Sequence, residues 1–274
     1  MICSTIQKEI VDACTKETIK AIIKDLDGDY FGILVDESKD ISHKEQMALV
    51  LRYVNKNGEL IESFLGIVHV GDTSARSLQK VIYSLLLDHS LCLSRLRGQG
   101  YDGATHNRFD VVTSDLLLGM ASLNPVDSFA NFSKSRIMKL AEYYKSEFGD
   151  NELRDLSYQL DSFIVYAREC DSKFLNLKGI KDLATMMAQT KLDQTWSLVY
   201  LLVKLALILP VATASVERAF SSMKLIKNDL RNSIGEEFLN GCLVCKIERK
   251  IFENVSNDAI IDRFQNMKSR RVQL

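Results

Sequence analysis

Two prolines in 274 residues leave little to interrupt helices, because proline's missing amide and fixed φ end them most sharply. No apolar run reaches the roughly 20 residues that a membrane-spanning helix needs. Charged residues begin at Lys8 and Glu9, too early for the apolar core of a secretory leader. Neither sign of charge is in excess: 35 Lys and Arg against 36 Asp and Glu give a net charge of −1, which argues against strong non-specific attraction to DNA phosphates. The six cysteines are scattered, the pattern of reduced thiols rather than of a disulfide framework. What remains is ordinary globular composition, 46% hydrophobic and 26% charged, in a chain long enough for one large domain or two small ones. The expectation is a protein that is not secreted and has no contact with membranes.

Along the chain, Ile6, Ile10, Cys14 and Ile22 recur at helical spacing within residues 5–25. Tyr30 to Val35 is a short apolar run ending at Asp36 and reads as a buried strand. Gln46 to Val54 and Leu60 to Val70 are two more strands, with Asn57-Gly58 as a hairpin turn between them. Thr73 or Ser74 caps a helix from Ala75 to Leu87, and Leu96 to Gly103 makes a fourth strand ending in Asp102. From Ser133 to Gln189 the spacing is helical, with Ile137, Leu140, Ala141 and Tyr144, then Leu156, Leu160, Phe163 and Ile164. Trp196 to Leu209 is apolar almost all round and stops at Pro210. Thr213 or Ser215 then caps a helix whose apolar face is Val216, Phe220, Met223, Leu230 and Ile234, with Glu217 on its first turn. The last helix, Glu236 to Val255, is apolar over so much of its surface that part of it is expected to meet a partner. Its Cys242-x-x-Cys245 has zinc-ligand spacing, but no second pair accompanies it, so two buried helical thiols are expected.

The stretch LPVATASVERAFSSMKLIKNDLRNSI, Leu209 to Ile234, resembles the C-terminal signature of hAT-type transposases. VDESKDIS around Asp36 and GQGYDGAT around Asp102 are similar to that family's first and second acid segments. The resemblance implies a ribonuclease H-like core: three strands in a meander, then a helix that brings the fourth strand parallel to the first, so that Asp36 and Asp102 lie side by side. It implies that Glu217 is the third acid, and that the three carboxylates hold divalent ions such as Mg²⁺ for attack on a phosphodiester. It also implies that the C-terminal region dimerises and that the protein is nuclear, although a cytoplasmic location fits the composition equally. The chain departs from the family after GYDGATH, where His106-Asn107 runs directly into RFDVVTSDLLLGMASLNP. A long insertion is expected to be missing there, along with a zinc finger of the DNA-binding type.

The resulting expectation is an α/β fold: a partial ribonuclease H-like mixed sheet flanked by helices, then a largely helical C-terminal region. Three segments are expected, with the core in 1–106, a helical remnant in 107–190 and the dimerisation region in 191–274. The expected function is that of a transposase-derived protein that forms a homodimer through Phe238, Leu239, Leu243 and Ile247. The alternative is a metal-dependent DNA transposase or nuclease using Asp36, Asp102 and Glu217. On the first reading the three acids are ancestral and inactive, no cofactor is required, and DNA contact is unsupported by charge. Mg²⁺ enters only on the second.

Overall fold

The computed structural model of the chain describes residues 3–101, 114–170, 172–209, 214–227 and 234–268. They divide into two compact units. The first gathers Met1–Arg52, Glu62–Phe109 and Pro210–Leu274, and the second is Tyr53–Ile61 with Asp110–Leu209. The division cuts across the segments read from the sequence, because Leu192 to Leu209 group with the helical middle of the chain and the remaining C-terminus groups with the sheet.

The first unit opens with one long helix, α1 (Ser4–Leu26). It ends where Asp27 turns left-handed at φ 52 and Gly28 follows at φ 72. Ile6 and Ile10 stay exposed, and the buried face starts at Ala13 and runs through Thr15, Thr18, Ile19, Ile22 and Leu26. Thr15 and Thr18 tolerate burial because each hydroxyl donates to the carbonyl one turn back, at 2.7 and 2.8 Å.

Strands β1 (Phe31–Lys39), β2 (Glu45–Val54) and β3 (Leu60–His69) follow, then helix α2 (Ala75–Asp88) and strand β4 (Leu96–Tyr101). The sheet order is β3-β2-β1-β4, with β1 and β4 parallel from Phe31↔Leu96 to Val35↔Tyr101. This is the mixed sheet expected from the order of elements, since a helical crossover is what delivers a parallel neighbour. β1 continues beyond the expected end, so Asp36 sits within the strand. The continuation has a local cause. Asp40 closes the β1–β2 turn through its amide to Lys44 O, at 2.9 Å, while its carboxylate accepts the Ser42 and Lys44 amides. Ser74 caps α2, and Asp72 accepts from the Ser74 amide and from the hydroxyls of Ser74 and Ser77. Those bonds hold the Asp72 carboxyl down at about 2.

The second unit consists of the tip of the β2–β3 hairpin and a set of helices: α3 (Ser114–Ser122), α4 (Lys134–Glu142), α5 (Asp150–Val165), α6 (Ile180–Gln189) and α7 (Ser197–Ile208). Its core is aromatic. Phe163 meets Phe129, Phe174 and Trp196 edge-on, with ring centres 5.6 to 5.9 Å apart. Trp196 Nε1 donates to Ser162 Oγ at 3.0 Å, and Gln159 Oε1 accepts the Leu198 amide at the first turn of α7. In the hairpin tip Gly58 has φ +78, and a Cβ there would lie 2.3 Å from the Ala184 carbonyl oxygen. Only glycine fits both the turn and that close approach.

The chain then returns to the first unit with α8 (Ala214–Ile226), α9 (Glu236–Ile247) and α10 (Asn257–Asn266). α8 packs on β1 and on α9, while α1 packs along α9 and α10. The expected apolar face of α8 is shortened. The helix ends at Ile226, Ile234 lies outside any helix just before α9, and Leu230 lies outside the described residues. α9 likewise stops at Ile247, because Glu248 leaves helical geometry at φ −91, ψ 33. Among the described residues no helix is long and apolar enough to cross a membrane.

Candidate functional site

Asp36 is half-buried on β1, and its Oδ1 accepts the Glu37 amide at 2.7 Å. The β1–β4 register is described up to Val35↔Tyr101, which are the residues immediately before the first and second acids in the sequence. Asp102 itself, with His106, lies outside the described residues. Glu217 is exposed on the first turn of α8, the helix that packs on β1. Among the described residues no three His, Cys, Asp or Glu side chains cluster so as to hold a metal ion. Asp36 and Glu217 thus stand on two elements that pack against each other, β1 and α8.

What sets the roll of α8 is a polar group of which Ser215 alone was expected to have a structural role. Ser215, expected as a cap, is instead the second residue of the helix, and its hydroxyl donates to the Glu62 carboxylate on β3. Glu62 also pairs with Arg52 on β2, and Arg218 donates to Ser215 Oγ at 2.7 Å. Glu248 joins from the end of α9 by accepting the Phe64 amide at 2.6 Å. Burial pushes the Glu248 carboxyl up, and the Phe64 amide and the Arg218 guanidinium offset this only in part. Residues two apart on a helix point about 200° apart. With Ser215 turned to β3, Glu217 therefore lies on the flank turned away from β3.

At the other end of α8 stands the most deeply buried ion pair. Lys227 Nζ is 2.5 Å from Asp40 Oδ2, and the two side chains are 4% and 1% exposed. Gln46 Nε2 donates to the same carboxylate at 3.2 Å. Burial pushes the Asp40 carboxyl up, but the Lys227 ammonium and the Lys44 and Ser42 amides outweigh it and hold the group below its ordinary value. The Ser-x-x-Arg and Lys residues of the signature-like stretch therefore pin both ends of one helix to one sheet. A sequence signal for this existed only in part: Asp40 and Lys227 fall in two of the three stretches that carry the resemblance, but nothing in their spacing pairs them.

Of the residues expected to dimerise, Leu239 and Leu243 are 1% and 0% exposed within a single chain, while Phe238 and Ile247 are half-buried. α9 comes so close to α1 that a Cβ on Gly241 would lie 2.7 Å from Val11 Cγ1 and 2.8 Å from Thr15 Oγ1. In the same seam Cys245 Sγ is 3.8 Å from Thr15 Oγ1. Burial raises the Cys14, Cys242 and Cys245 thiols, and Cys245 raises the first two further. Cys242 and Cys245 are half-buried rather than fully buried, and among the described residues they belong to no group of three or more that could hold a metal ion. At the sheet end remote from Asp36, the guanidinium groups of Arg95 and Arg97 lie 5.0 and 4.9 Å from the Tyr30 ring centre.

Residues 1–110 match the model of the ZMYM1/FAM200 RNase-like domain, DUF4371. Such domains occur in transposase-derived proteins. The match covers α1, the whole sheet and α2, and so includes both Asp36 and Asp102. It stops before the signature-like stretch around Glu217.

Proposed function

We propose that the chain is a transposase-derived protein that retains an RNase-like core and acts by self-association through its C-terminal helices. The observation that carries this reading is the apolar girth of α9 and its neighbour. After Leu239, Leu243 and Val244 are buried, Phe238 and Ile247 still reach the surface, and Leu225 on α8 is 70% exposed. These side chains would supply the apolar anchors of a partner surface. Sedimentation velocity across the micromolar range tests the reading. A dimer that dissociates on dilution and is weakened by Phe238→Glu is expected, and a monomer at every concentration contradicts it.

A second reading, a metal-dependent DNA nuclease or transposase, is favoured by one observation. The parallel β1–β4 register runs to the residues immediately before Asp36 and Asp102, and α8 with Glu217 packs on the same β1. On that reading Asp36, Asp102 and Glu217 would hold Mg²⁺, which would supply Lewis-acid activation of a phosphodiester. Net charge near zero favours the first reading, since phosphate contacts dominate DNA affinity. Incubation with Mg²⁺ or Mn²⁺ and duplex DNA at low salt separates the two. No cleavage is expected, and cleavage lost in Asp36→Ala and Glu217→Ala would install the second.

A further inference from the structure

In the seam between α1 and α9 the two helices advance in the same direction. The Cβ position of Gly241 faces Val11 and Thr15, and one turn further along α9 the Cys245 sulfur lies 3.8 Å from Thr15 Oγ1. The Thr18 hydroxyl, one turn further along α1, also bears on the Cys245 thiol. Val11, Cys14, Thr15 and Thr18 are the i, i+3, i+4 and i+7 positions of α1, the four corners of a hole that receives a side chain from a facing helix. Cys245 is the side chain in that hole, and Cys14 is the corner that carries a sulfur. The two thiols act on each other electrostatically, and both are half-buried. Glycine at 241 draws the helices together at this point, since the side chains at a contact set the distance between the axes. Cys242, the other half of the Cys-x-x-Cys pair, is the poorer partner. Residues three apart on one helix hold their Cβ atoms about 5–6 Å apart, whereas a disulfide spans about 3.5–4.5 Å. A Cys242–Cys245 bond would therefore distort the interior of α9, while Cys14 and Cys245 stand on separate helices and meet by rotation of their side chains.

We propose that Cys14 and Cys245 form an oxidation site, at which a peroxide joins them in a disulfide that ties α1 to α9 within one chain. The proposal goes beyond the self-association reading and does not depend on it. The Thr15 and Thr18 hydroxyls offset part of the burial of Cys245 and so favour its sulfur as the attacking one. That thiol gives up its proton, and its sulfur attacks one oxygen of hydrogen peroxide. The O–O bond breaks, leaving a sulfenic acid, and the departing hydroxide takes the proton to become water. The Cys14 sulfur then displaces the sulfenic oxygen, which leaves with the Cys14 proton as a second water. Two thiols lose two electrons, and one peroxide gains them. Burial raises both thiols, so thiolate is scarce at neutral pH and the first step is slow. The pair is therefore selected by position rather than by acidity. Once made, the bond closes a loop that contains the whole sheet and the helical unit, and so long a loop constrains the unfolded chain strongly.

The test uses the full chain carrying Cys3→Ser and Cys92→Ser, which removes two exposed thiols. The folded protein is held with hydrogen peroxide, its remaining thiols are blocked with an alkylating reagent, and it is digested without reduction. Mass spectrometry is expected to find the Cys14 and Cys245 peptides joined, two hydrogens lighter than their sum, with Cys242 alkylated. The oxidised chain is expected to run as a monomer on a non-reducing denaturing gel. It should melt several degrees above the same sample treated with dithiothreitol, and Cys14→Ser should lose that shift while Cys242→Ser keeps it. Cys14 and Cys245 recovered unjoined after prolonged oxidation would overturn the proposal. So would a Cys242–Cys245 bond or a covalent dimer joined through these thiols. If the Cys14→Ser chain fails to fold, the peptide map of the parent chain decides alone.

Discussion

The two units are held together by different means. The helical unit, continuous from Asp110 to Leu209 apart from its hairpin tip, relies on an apolar and aromatic core around Phe163. The sheet unit is assembled from segments separated by that whole stretch, and it places charged and amide groups at each junction: Lys227 on Asp40, Ser215 on Glu62, Asn240 on the Ile67 amide. Apolar burial is non-directional and roughly proportional to area, which suffices when neighbours in sequence are already close. Joining distant segments in one register calls for directional contacts, and a misplaced helix would leave their buried polar groups unpaired.

The comparison predicts its own breaking points. Lys227→Ala strands the Asp40 carboxylate in the core, and the expected loss is about 3–5 kcal/mol of stability. Replacing both residues, in an Asp40→Leu, Lys227→Met chain, restores only part of it, because the Ser42 and Lys44 amides and Gln46 Nε2 lose their acceptor. Phe163→Ala in the helical unit is expected to cost about 3–4 kcal/mol through the cavity it leaves. Fluorescence of Trp196, the only tryptophan and a neighbour of Phe163, should report that change at lower urea than circular dichroism of the whole chain does. Ser215→Ala leaves Glu62 paired with Arg52, so a smaller loss of about 1 kcal/mol is expected.

Two carboxyls of the sheet unit, the buried Asp40 and the half-buried Glu248, make opposite pH predictions. Asp40 is held below its ordinary 3.8, so its contribution is present above that value and is lost as pH falls through the lower folded pKa. Glu248 is raised above its ordinary 4.5, so the folded state binds that proton more readily. The stability it contributes is present below 4.5 and lost as pH rises through the folded value. Unfolding midpoints measured between pH 3 and pH 7 should therefore show a flatter acid limb in Asp40→Asn. In Glu248→Gln they should show a smaller fall over the range just above 4.5.

Much of this architecture was legible in the sequence because it is written in local patterns. Asn57-Gly58 marked the β2–β3 turn, Ser74 marked the start of α2, and the order of strands around one crossover helix gave the mixed sheet. The end of α8 was not legible, because Lys227 there meets Asp40 only across the fold, and the end of β1 was not, because Asp40 gave no sign by its spacing that it would close the following turn. Ser215 looked like a cap by residue type, yet Glu62, far away in sequence, takes its hydroxyl. The excess of apolar residues on the last helix was visible, but periodicity alone did not show that Leu239 and Leu243 are buried within one chain while Phe238 and Ile247 reach the surface. Asp36 and Glu217 were singled out only through the resemblance, since lone carboxylates at strand ends and helix starts carry no signal of their own.

The central claim is that the C-terminal helices and the N-terminal sheet form one cooperative unit, distinct from the helical unit between them. Hydrogen exchange by mass spectrometry on Lys227→Ala against wild type tests it most directly, since cooperative units lose protection together. The account predicts that peptides from α1, β1–β3, α8 and α9 gain exchange in concert, while those from α5, α6 and α7 keep wild-type protection. Faster exchange confined to the Asp40–Lys44 turn and the end of α8, or spread evenly over both units, would contradict it.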